Sequence, residues 1–437
     1  MIKVSNEEIA ILDAHESSGT KDRAVLQEPP LFVRGDGARL WDSNGREYID
    51  FLSGGGTANA GYGNREIQAA IQTQAATGVN HVGSLLLTPV KARLIERLIG
   101  VVPDGLTRVH LAVTGGEAVE VAFKMARVHT GRQNIVAFWG GYHGATMGAM
   151  AASASRSQRD PFFPIALGVT HFPYPYPYRN PFGVDPRDTE QVLDVSVNYL
   201  EAALDSPASG LAPVAALVVE PIQGVGGIVV PPSGFLARLR QVCDRHSILL
   251  IVDEIFCGFG RTGRWFGCQH DEALPDLMVI SKGLSSALPI SAVVGREEVM
   301  AQLPVGFQST TYEGNPIACS AAIANLDYLK SIRAPEKATA IGQRIAKWTQ
   351  STPASVVGEA RGKGAFWGLE IVEPGSNRPA PDVAAKIVRE GMVDGLLLFR
   401  GGHYKNVVGI MPPIPSTDTD LDEGLTKLGS ILEKLGG

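Results

Sequence analysis

The sequence predicts an α/β fold with a mainly parallel sheet, and three observations carry that prediction. Short apolar runs recur through the chain, helical patterns lie between several of them, and the runs are apolar throughout rather than alternating with polar residues. Such a sheet is covered by helices and binds ligands at the carboxyl ends of its strands. The proline-rich stretch "FPYPYPYRNPFG", residues 172–183, predicts an exposed loop. The predicted strands are 109–113, 134–138, 215–219, 248–253, 277–280 and 291–295.

The length of the chain predicts two domains, because 437 residues are too many for one ordinary hydrophobic core. Near the start, short alternating strands separated by Gly-Asp and Asn-Gly turns indicate a small meander. Near the end, a long helical pattern leads into a second region of mixed helices and strands. We therefore predict an N-terminal segment 1–64 that contributes to the small domain, a large domain 65–325 and a C-terminal small domain 326–437.

The composition argues against several classes of function. The formal net charge is −6 and the basic residues are scattered, so we expect no nucleic-acid partner. The amino terminus does not resemble a signal peptide, and the apolar runs are too short to span a bilayer, so we expect no membrane partner. The four cysteines form no CxxC pair and the nine histidines no HExxH motif, which predicts a reducing, cytoplasmic location and no metal site.

Residues 109–131, "VHLAVTGGEAVEVAFKMARVHTG", predict a phosphate site where a strand passes into a helix. Thr114 and Glu117 form a T-x-x-E capping box at the start of that helix. Gly115 and Gly116 fall in its first turn, whose backbone N–H groups lack helical partners. Because neither glycine has a side chain, an anion can approach these donors at the positive end of the helix. The alternative is merely a well-capped helix, which needs one glycine at most.

Lys282 lies in "DLMVISKG", directly after a predicted buried strand and with no acidic residue beside it in the sequence. One interpretation is a lysine whose stem covers apolar surface while its amine stays in water. The other is an amine used as a nucleophile, which must be desolvated and partly uncharged.

Asp253 ends the apolar run "ILLIVD", and a carboxylate at a strand end is costly to bury unless a cation meets it. Taken alone, it is explained by a salt bridge or a helix cap. The next stretch, "GFGRTG" at 258–263, matches the dinucleotide pattern G-x-G-x-x-G. The residues after it, "RWFGCQHDEALPD", have turn character and no helical period, so we reject a dinucleotide-binding fold.

Together, the glycines at the helix start, Tyr142 after a strand, Asp253 and Lys282 predict pyridoxal 5′-phosphate as the cofactor. This cofactor needs a phosphate site, an aromatic residue stacked on its ring, a carboxylate at its pyridine nitrogen and a lysine that forms a Schiff base. The four features occur in that order at successive predicted strand ends. They favour the nucleophilic interpretation of Lys282, with a pKa lowered by burial.

Over nearly its whole length the chain resembles the class III pyridoxal-phosphate-dependent aminotransferases. The similar stretches, in family order, are "VVEPIQGVGGIVVPP", "VDEIFCGFGRTGRWFG", "DLMVISKG" and "TTYEGNPIACSAA". The resemblance implies fold type I, in which a large domain with a mainly parallel seven-stranded sheet flanked by helices is joined to a smaller α+β domain. It also implies a homodimer whose active sites are shared at the interface.

The resemblance assigns four residues around the cofactor ring. It implies that Lys282 is the Schiff-base lysine and that Asp253 holds the pyridine nitrogen. Tyr142, in "GGYHG", is similar to the ring-stacking aromatic residue of the family. Ile255 is similar to the aliphatic residue that covers the opposite face of the ring.

Other matching positions lie around the phosphate and the edge of the site. Gly115 and Gly116 are similar to the phosphate loop of the family. Thr311, in "TTYEGNP", is similar to the threonine that reaches the phosphate from the neighbouring subunit. Glu220, in "VEP", is similar to a family acid near the cofactor.

Four positions depart from the 4-aminobutyrate and ornithine enzymes of the family. Val225 stands where they carry a glutamate, and Gly409 where they carry the arginine that binds the substrate carboxylate. Ala145 and Phe256 stand where 4-aminobutyrate enzymes have an arginine and a cofactor-contacting glutamine. The pattern is closer to the ω-transaminases that act on amines. Arg400 is a candidate for their mobile carboxylate-binding arginine, and a solvated surface arginine is the alternative.

We expect an aminotransferase that moves an amino group from an amine or amino acid donor to an aldehyde or ketone acceptor through Lys282. The alternative is a pyridoxal-phosphate-dependent epimerase or racemase, aminomutase or phospho-lyase of the same family, which would use the same cofactor residues. A protein that binds the cofactor without turnover is a third hypothesis, and the complete set of cofactor residues argues against it.

Overall fold

The computed structural model describes residues 6–17, 30–155, 159–163, 165, 168–352 and 354–436. The strands are β1 Phe32–Asp36, β2 Arg39–Asp42, β3 Glu47–Phe51, β4 Arg108–Ala112, β5 Asn134–Phe138, β6 Val169–Phe172, β7 Val214–Val219, β8 Leu249–Asp253, β9 Leu277–Ile280, β10 Ser291–Gly295, β11 Val357–Lys363, β12 Phe366–Ile371, β13 Leu396–Gly401 and β14 Val407–Ile410. The helices are α1 Asn6–His15, α2 Ser53–Gly56, α3 Arg65–Ala76, α4 Pro89–Ile99, α5 Gly115–Thr130, α6 Met147–Ala152, α7 Thr189–Asp205, α8 Phe235–His246, α9 Glu297–Met300, α10 Pro316–Ser331, α11 Ala334–Ser351, α12 Pro381–Val393 and α13 Asp418–Gly436.

The first of two sheets has the strand order β4-β10-β9-β8-β7-β5-β6. Five neighbouring strands run parallel to one another: β9, β8, β7, β5 and β6. Strand β10 is antiparallel to both of its neighbours, β4 and β9. The mainly parallel seven-stranded sheet that the sequence predicts is therefore present. The six predicted strands are all observed, displaced by at most one residue at either end, whereas β6 was not predicted.

Helices cover both faces of this first sheet, as the continuous apolar runs indicate. Along β8, Leu249 and Ile251 pack with α5 on one side, while Leu250 and Val252 pack into a cluster with α4, α8 and α10 on the other. Side chains alternate between the faces of a strand, so a strand that is covered on both faces must be apolar at every position.

The second sheet joins the beginning and the end of the chain. Its strand order is β1-β2-β3-β13-β14-β12-β11, and β3 pairs with β13 in parallel. Apolar residues of α11, α12 and α13 pack on it in a separate cluster. The boundaries that the sequence suggests after residues 64 and 325 stay a prediction.

After Phe172, which ends β6, the proline-rich segment 172–183 forms no further strand and no long helix, as predicted, but the prediction that the whole segment is exposed is wrong, because residues 172–176 are buried. Tyr174 and Tyr176 are buried. The Tyr174 hydroxyl donates to the carbonyl oxygen of Glu220 at 3.1 Å, and the Tyr176 hydroxyl donates to Glu370 Oε2 at 2.6 Å. Because both phenols find acceptors, their rings can fill apolar space without leaving a polar group unpaired.

None of the helices that the structure describes is long and apolar enough to cross a bilayer. The first sheet brings the carboxyl ends of several strands together at one edge. The carboxyl ends of β4, β5, β7, β8 and β9 lead directly to the residues that the sequence singles out. This edge is where an α/β sheet binds its ligands.

Candidate active site

The start of α5 forms an anion-binding cradle. Both hydrogen bonds of the capping box are present: Glu117 N donates to Thr114 Oγ1 at 3.3 Å, and Thr114 N donates to Glu117 Oε2 at 3.4 Å. A Cβ atom at Gly115 would lie 3.0 Å from Ile255 Cδ1, and one at Gly116 would lie 3.2 Å from Thr146 Oγ1. Side chains at these two positions would therefore fill the space in front of the free N–H groups of the first turn.

Asp253 forms a buried pair with His143. Asp253 Oδ2 lies 2.8 Å from His143 Nδ1, and Asp253 Oδ1 accepts from the backbone N–H of Ile255 at 3.0 Å. Burial pulls the pKa of His143 down, but the hydrogen bond and charge of Asp253 outweigh it, so the pKa is raised. Ser153 Oγ accepts from the backbone N–H of His143 at 2.9 Å and fixes the loop. The pair holds the Asp253 carboxylate in place at the end of β8, where it would face a cationic ring nitrogen.

Glu220 holds two loops together through its carboxylate. Oε1 accepts from the backbone N–H of Tyr142 at 2.9 Å, and Oε2 accepts from the backbone N–H of Gly224 at 2.8 Å. Burial raises the pKa of Glu220 to about 7, although the charge of His143 opposes the shift. The geometry thus makes Glu220 an anchor for the loop that carries Tyr142 and for the loop that carries Val225.

Lys282 begins a short turn after β9 with a φ of 42°, a left-handed backbone that is uncommon for lysine. Its Nζ lies 2.9 Å from the centroid of the Phe256 ring. Burial lowers the pKa of Lys282 to about 7, although the charges of Asp253 and Glu220 favour the protonated form. A ring face attracts an ammonium by about 0.5–2 kcal/mol, too little to offset this burial. Near neutral pH a large part of the amine is therefore uncharged and nucleophilic.

The structure brings Gly115, Ile255, Tyr142, Glu220 and Asp253 together with Lys282, but two other predicted residues stand apart. Thr311 is exposed, and it is the neighbouring Thr310 whose hydroxyl donates to Glu117. Arg400 lies in β13 beside Phe399, which packs in the same apolar cluster as Phe256. Because side chains alternate along a strand, Arg400 points to the opposite face.

His143 is the functional residue that the sequence reasoning missed. A signal was available, because His143 follows Tyr142 in the quoted motif "GGYHG". Its partner Asp253 is 110 positions further along the chain, so the pairing could not be read from local sequence. Its other ring nitrogen, Nε2, is buried and finds no hydrogen-bond partner among the described residues. Among the described residues, no group of three or more His, Cys, Asp or Glu side chains could hold a metal ion.

The residues present fit pyridoxal 5′-phosphate. The cradle at Gly115 and Gly116 suits a phosphate, since added side chains would fill it. The buried carboxylate of Asp253 suits a protonated pyridine nitrogen, and the weakly basic amine of Lys282 suits the aldehyde. All three groups lie at one edge of one sheet.

Comparison with known proteins gives consistent matches along the chain. A family model described as aminotransferase class III matches residues 21–432. A probable 4-aminobutyrate aminotransferase of Bacillus subtilis is 34% identical over 405 residues, which cover 91% of this chain and 92% of that protein. A leucine/methionine racemase of Thermococcus litoralis is 34% identical over 426 residues, covering 96% and 94%. A thermostable (S)-enantioselective omega-transaminase from Thermomicrobium roseum superposes with a TM-score of 0.91 at 30% identity, covering 99% of each chain.

Proposed function

This chain belongs to the class III aminotransferase family, and from that premise we propose that Lys282 is the lysine that binds the cofactor and carries the substrate proton. The fold type I architecture, the aminotransferase activity and the cofactor pyridoxal 5′-phosphate, all predicted from the sequence, are confirmed by the matches. The observation that carries the residue assignment is the convergence of the α5 N-terminus, Asp253 and Lys282 at one sheet edge.

Each residue has one task in this proposal. When bound, pyridoxal phosphate supplies an electron-withdrawing ring that stabilises the negative charge left at the substrate Cα. The α5 N-terminus holds the phosphate, and the carboxylate of Asp253, kept in place by His143, holds the ring nitrogen in its charged form. Tyr142 and Ile255 would cover the two faces of the ring. The Lys282 amine takes the proton from the substrate Cα as a general base and gives it up again as a general acid.

The donor in this proposal is an amine or amino acid, and the acceptor is an aldehyde or ketone. The side of the site near Val225 is apolar, since Val225, Phe256, Phe366 and Phe399 belong to one apolar cluster. The Phe399 ring lies over Gly409: a Cβ atom at Gly409 would lie 2.8 Å from Phe399 Cδ1. An aromatic ring thus occupies the space into which a side chain at residue 409 would project. We infer that donors with an uncharged group on this side are preferred to diacids.

We expect a Gly409→Ala substitution to destabilise the protein by about 1–3 kcal/mol, because the added methyl overpacks against Phe399 and Ile228. Chemical denaturation monitored by tryptophan fluorescence measures the loss. Phe399→Leu in the same chain should recover part of it by opening space over residue 409. Gly429→Ala tests whether the effect is specific to crowding, since neither glycine has a positive φ and the atom nearest to the added Cβ at Gly429 lies 3.6 Å away. A Gly409→Ala protein as stable as the parent would contradict the packing described.

A homodimer with shared active sites is part of the proposal, and an exposed apolar patch supports it. Leu85 and Leu87 are each 91% exposed. Their segment contacts the segment that carries Thr311, through the stacked rings of His81 and Tyr312 at 4.5 Å and a 2.7 Å hydrogen bond between Ser84 and Ser309. Exposed apolar patches mark interaction sites, and most homo-oligomers are two-fold symmetric. A second copy on this patch would place Thr311 at the boundary between subunits.

Co-expression of a Lys282→Ala chain with a Thr311→Glu chain tests the shared site. Each variant alone should be inactive or nearly so, because the first lacks the amine and the second places a negative charge where the phosphate of the partner's cofactor would lie. A mixed dimer has one site with both native residues, so the mixture should recover up to roughly a quarter of the parent activity. If each site is built from one subunit, the Thr311→Glu chain by itself will be active or the mixture will recover nothing.

The cytoplasm is the proposed location. All four cysteines, Cys243, Cys257, Cys268 and Cys319, are free and buried. Free thiols are typical of a reducing compartment. The support is compositional, and immunolocalisation or fractionation of the native host would test it.

The test of the activity is an absorbance titration of the loaded protein, in which single amines are added without an acceptor. We expect the visible band of the lysine-bound cofactor to be replaced by that of its amine form while a carbonyl product appears in equal amount. Glutamate, alanine, 4-aminobutyrate and an aralkylamine are suitable donors. The best donor also tests the inferred preference for an uncharged group.

Racemisation is the second candidate, and the similarity to the leucine/methionine racemase of Thermococcus litoralis favours keeping it. A racemase would exchange the Cα hydrogen of an amino acid with solvent and release no carbonyl product. Mass spectrometry of a single reaction in deuterated buffer distinguishes racemisation from transamination. Deuterium at Cα with inversion and without keto acid would support racemisation, and stoichiometric keto acid would support transamination.

A further inference from the structure

Phe256 and Lys282 make the closest aromatic contact with a cation in the described part of the chain. The Lys282 Nζ atom lies 2.9 Å from the ring centroid of Phe256, over the ring face. The described hydrogen bonds and ion pairs do not include this amine. One side of the amine is therefore covered by a surface that cannot accept a conventional hydrogen bond, and water has no room between the two groups.

The Phe256 ring is fixed in place by its surroundings. A Cβ atom at Gly56 would lie 2.5 Å from Phe256 Cε1, and one at Gly224 would lie 2.8 Å from Phe256 Cδ2. The ring also stacks on Phe366 at 5.7 Å between centroids, with 9° between the planes. Two glycines and one parallel ring thus form a slot that admits an aromatic side chain in one orientation. These contacts hold the Phe256 ring beside Lys282.

The charged and titratable groups that act on the Lys282 amine come from two further strand ends and from the loop that carries Phe256. Asp253 ends β8, Glu220 follows β7, and the Cys257 thiol follows Phe256. Asp253 is engaged with His143, and both oxygens of Glu220 accept from backbone N–H groups. None of these groups is hydrogen-bonded to the amine. The direct contact that the described residues make with the amine is therefore the one with the Phe256 ring.

We propose that Phe256 is a positioning residue for Lys282: its ring covers the amine, excludes water and hydrogen-bond acceptors from that side, and so keeps the amine ready to react in its uncharged form. This proposal rests on the proposed function, in which Lys282 binds the cofactor and moves the proton. It assigns a role to Phe256 that the chemistry of the cofactor does not require. The lowered pKa of Lys282, to about 7, agrees with it.

The test compares Phe256→Gln with the matched apolar variant Phe256→Leu in the full-length protein without cofactor. Limited acetylation over about pH 5 to pH 10 gives the pH at which Lys282 is half reactive, read by mass spectrometry against the exposed Lys330 as internal reference. A glutamine oxygen can accept from the ammonium and stabilises its charge. We therefore expect the midpoint, about 7 in the parent, to rise by about one pH unit or more in Phe256→Gln and to stay within about half a unit in Phe256→Leu.

Phe256→Thr is a second polar variant, so the test does not depend on the folding of one protein. An unchanged midpoint in both polar variants would overturn the proposal, and so would a Phe256→Leu midpoint that rises as far as that of Phe256→Gln. Borohydride reduction of the loaded parent, followed by peptide mapping, tests separately whether Lys282 binds the cofactor. A label on another lysine would contradict the assignment of Lys282 as the cofactor-binding lysine. The acetylation midpoints would still report on the contact between Lys282 and Phe256.

Discussion

Replacing Lys282 with alanine is expected to abolish transamination, with a fall in turnover of about 10⁴-fold or more. The substitution removes the amine that we propose both to bind the cofactor and to move the substrate proton. The visible absorbance band of the lysine-bound cofactor should vanish in the same variant. Turnover with the best donor and the absorbance spectrum are the two measurements.

The matched control for Lys282→Ala is Lys330→Ala, since Lys330 is an exposed lysine of α10. That variant should keep the spectrum and the activity of the parent. Thermal unfolding of both variants separates loss of chemistry from loss of fold. A Lys282→Ala protein that is folded and retains a substantial fraction of parent turnover would refute the assignment of Lys282.

Asp253→Asn is expected to lower kcat by about 10²–10³-fold, the size of effect seen when a preorganised electrostatic group is removed from a reacting centre. The amide cannot hold the ring nitrogen in its charged form, and the electron-withdrawing power of the ring falls. His143 also loses the charge that raises its pKa, so the pKa of His143 should fall. Stopped-flow absorbance with a single donor measures the chemical step, and NMR of the histidine ring measures the pKa.

Asp276→Asn is the matched control for Asp253→Asn. Asp276 is also a buried carboxylate of the same sheet, but it lies at the opposite edge, where Arg240 donates to it at 2.7 Å. Its substitution should lower the stability and leave the rate of the chemical step unchanged. Equal losses of rate in the two variants would show that buried charge in the sheet, rather than the position of Asp253, governs the chemistry.

The strands of the first sheet were predictable because burial on both faces requires a continuous run of apolar residues, which is visible in the sequence. Every residue of β8 is buried, and the run is apolar until Asp253. The short strand β6, "VTHF", left no such signal, since its first three residues are only partly buried and a proline follows the strand. Tyr174 and Tyr176 read as loop residues, because only long-range acceptors at Glu220 and Glu370 make their burial possible.

The residues that we propose for the cofactor ring and phosphate, apart from Thr311, could be selected from the chain because they follow strands at recognisable motifs. Their supporting contacts could not be predicted in this way, since they join distant parts of the sequence. The Asp253–His143 pair spans 110 positions, and the ring of Phe256 is held by Gly56 and Gly224 from two other segments. The departure at Gly409 was visible in the sequence, but the reason that a larger residue does not fit there, the ring of Phe399, required the structure.

The carboxylate of Glu220 has a consequence for attempts to broaden the substrate range of this enzyme by mutagenesis. Since one side chain holds the backbone of both Tyr142 and Gly224, the loop proposed to face the cofactor ring and the loop that carries Val225 are joined, and a shift of one is expected to move the other. We expect substitutions of Val225 alone to disturb the hydrogen bond between Gly224 and Glu220 and so to displace Tyr142, which would lower activity for reasons unrelated to substrate fit. Libraries that vary the two loops together, with Glu220 held constant, include pairs of substitutions in which a change in one loop compensates for a backbone shift in the other.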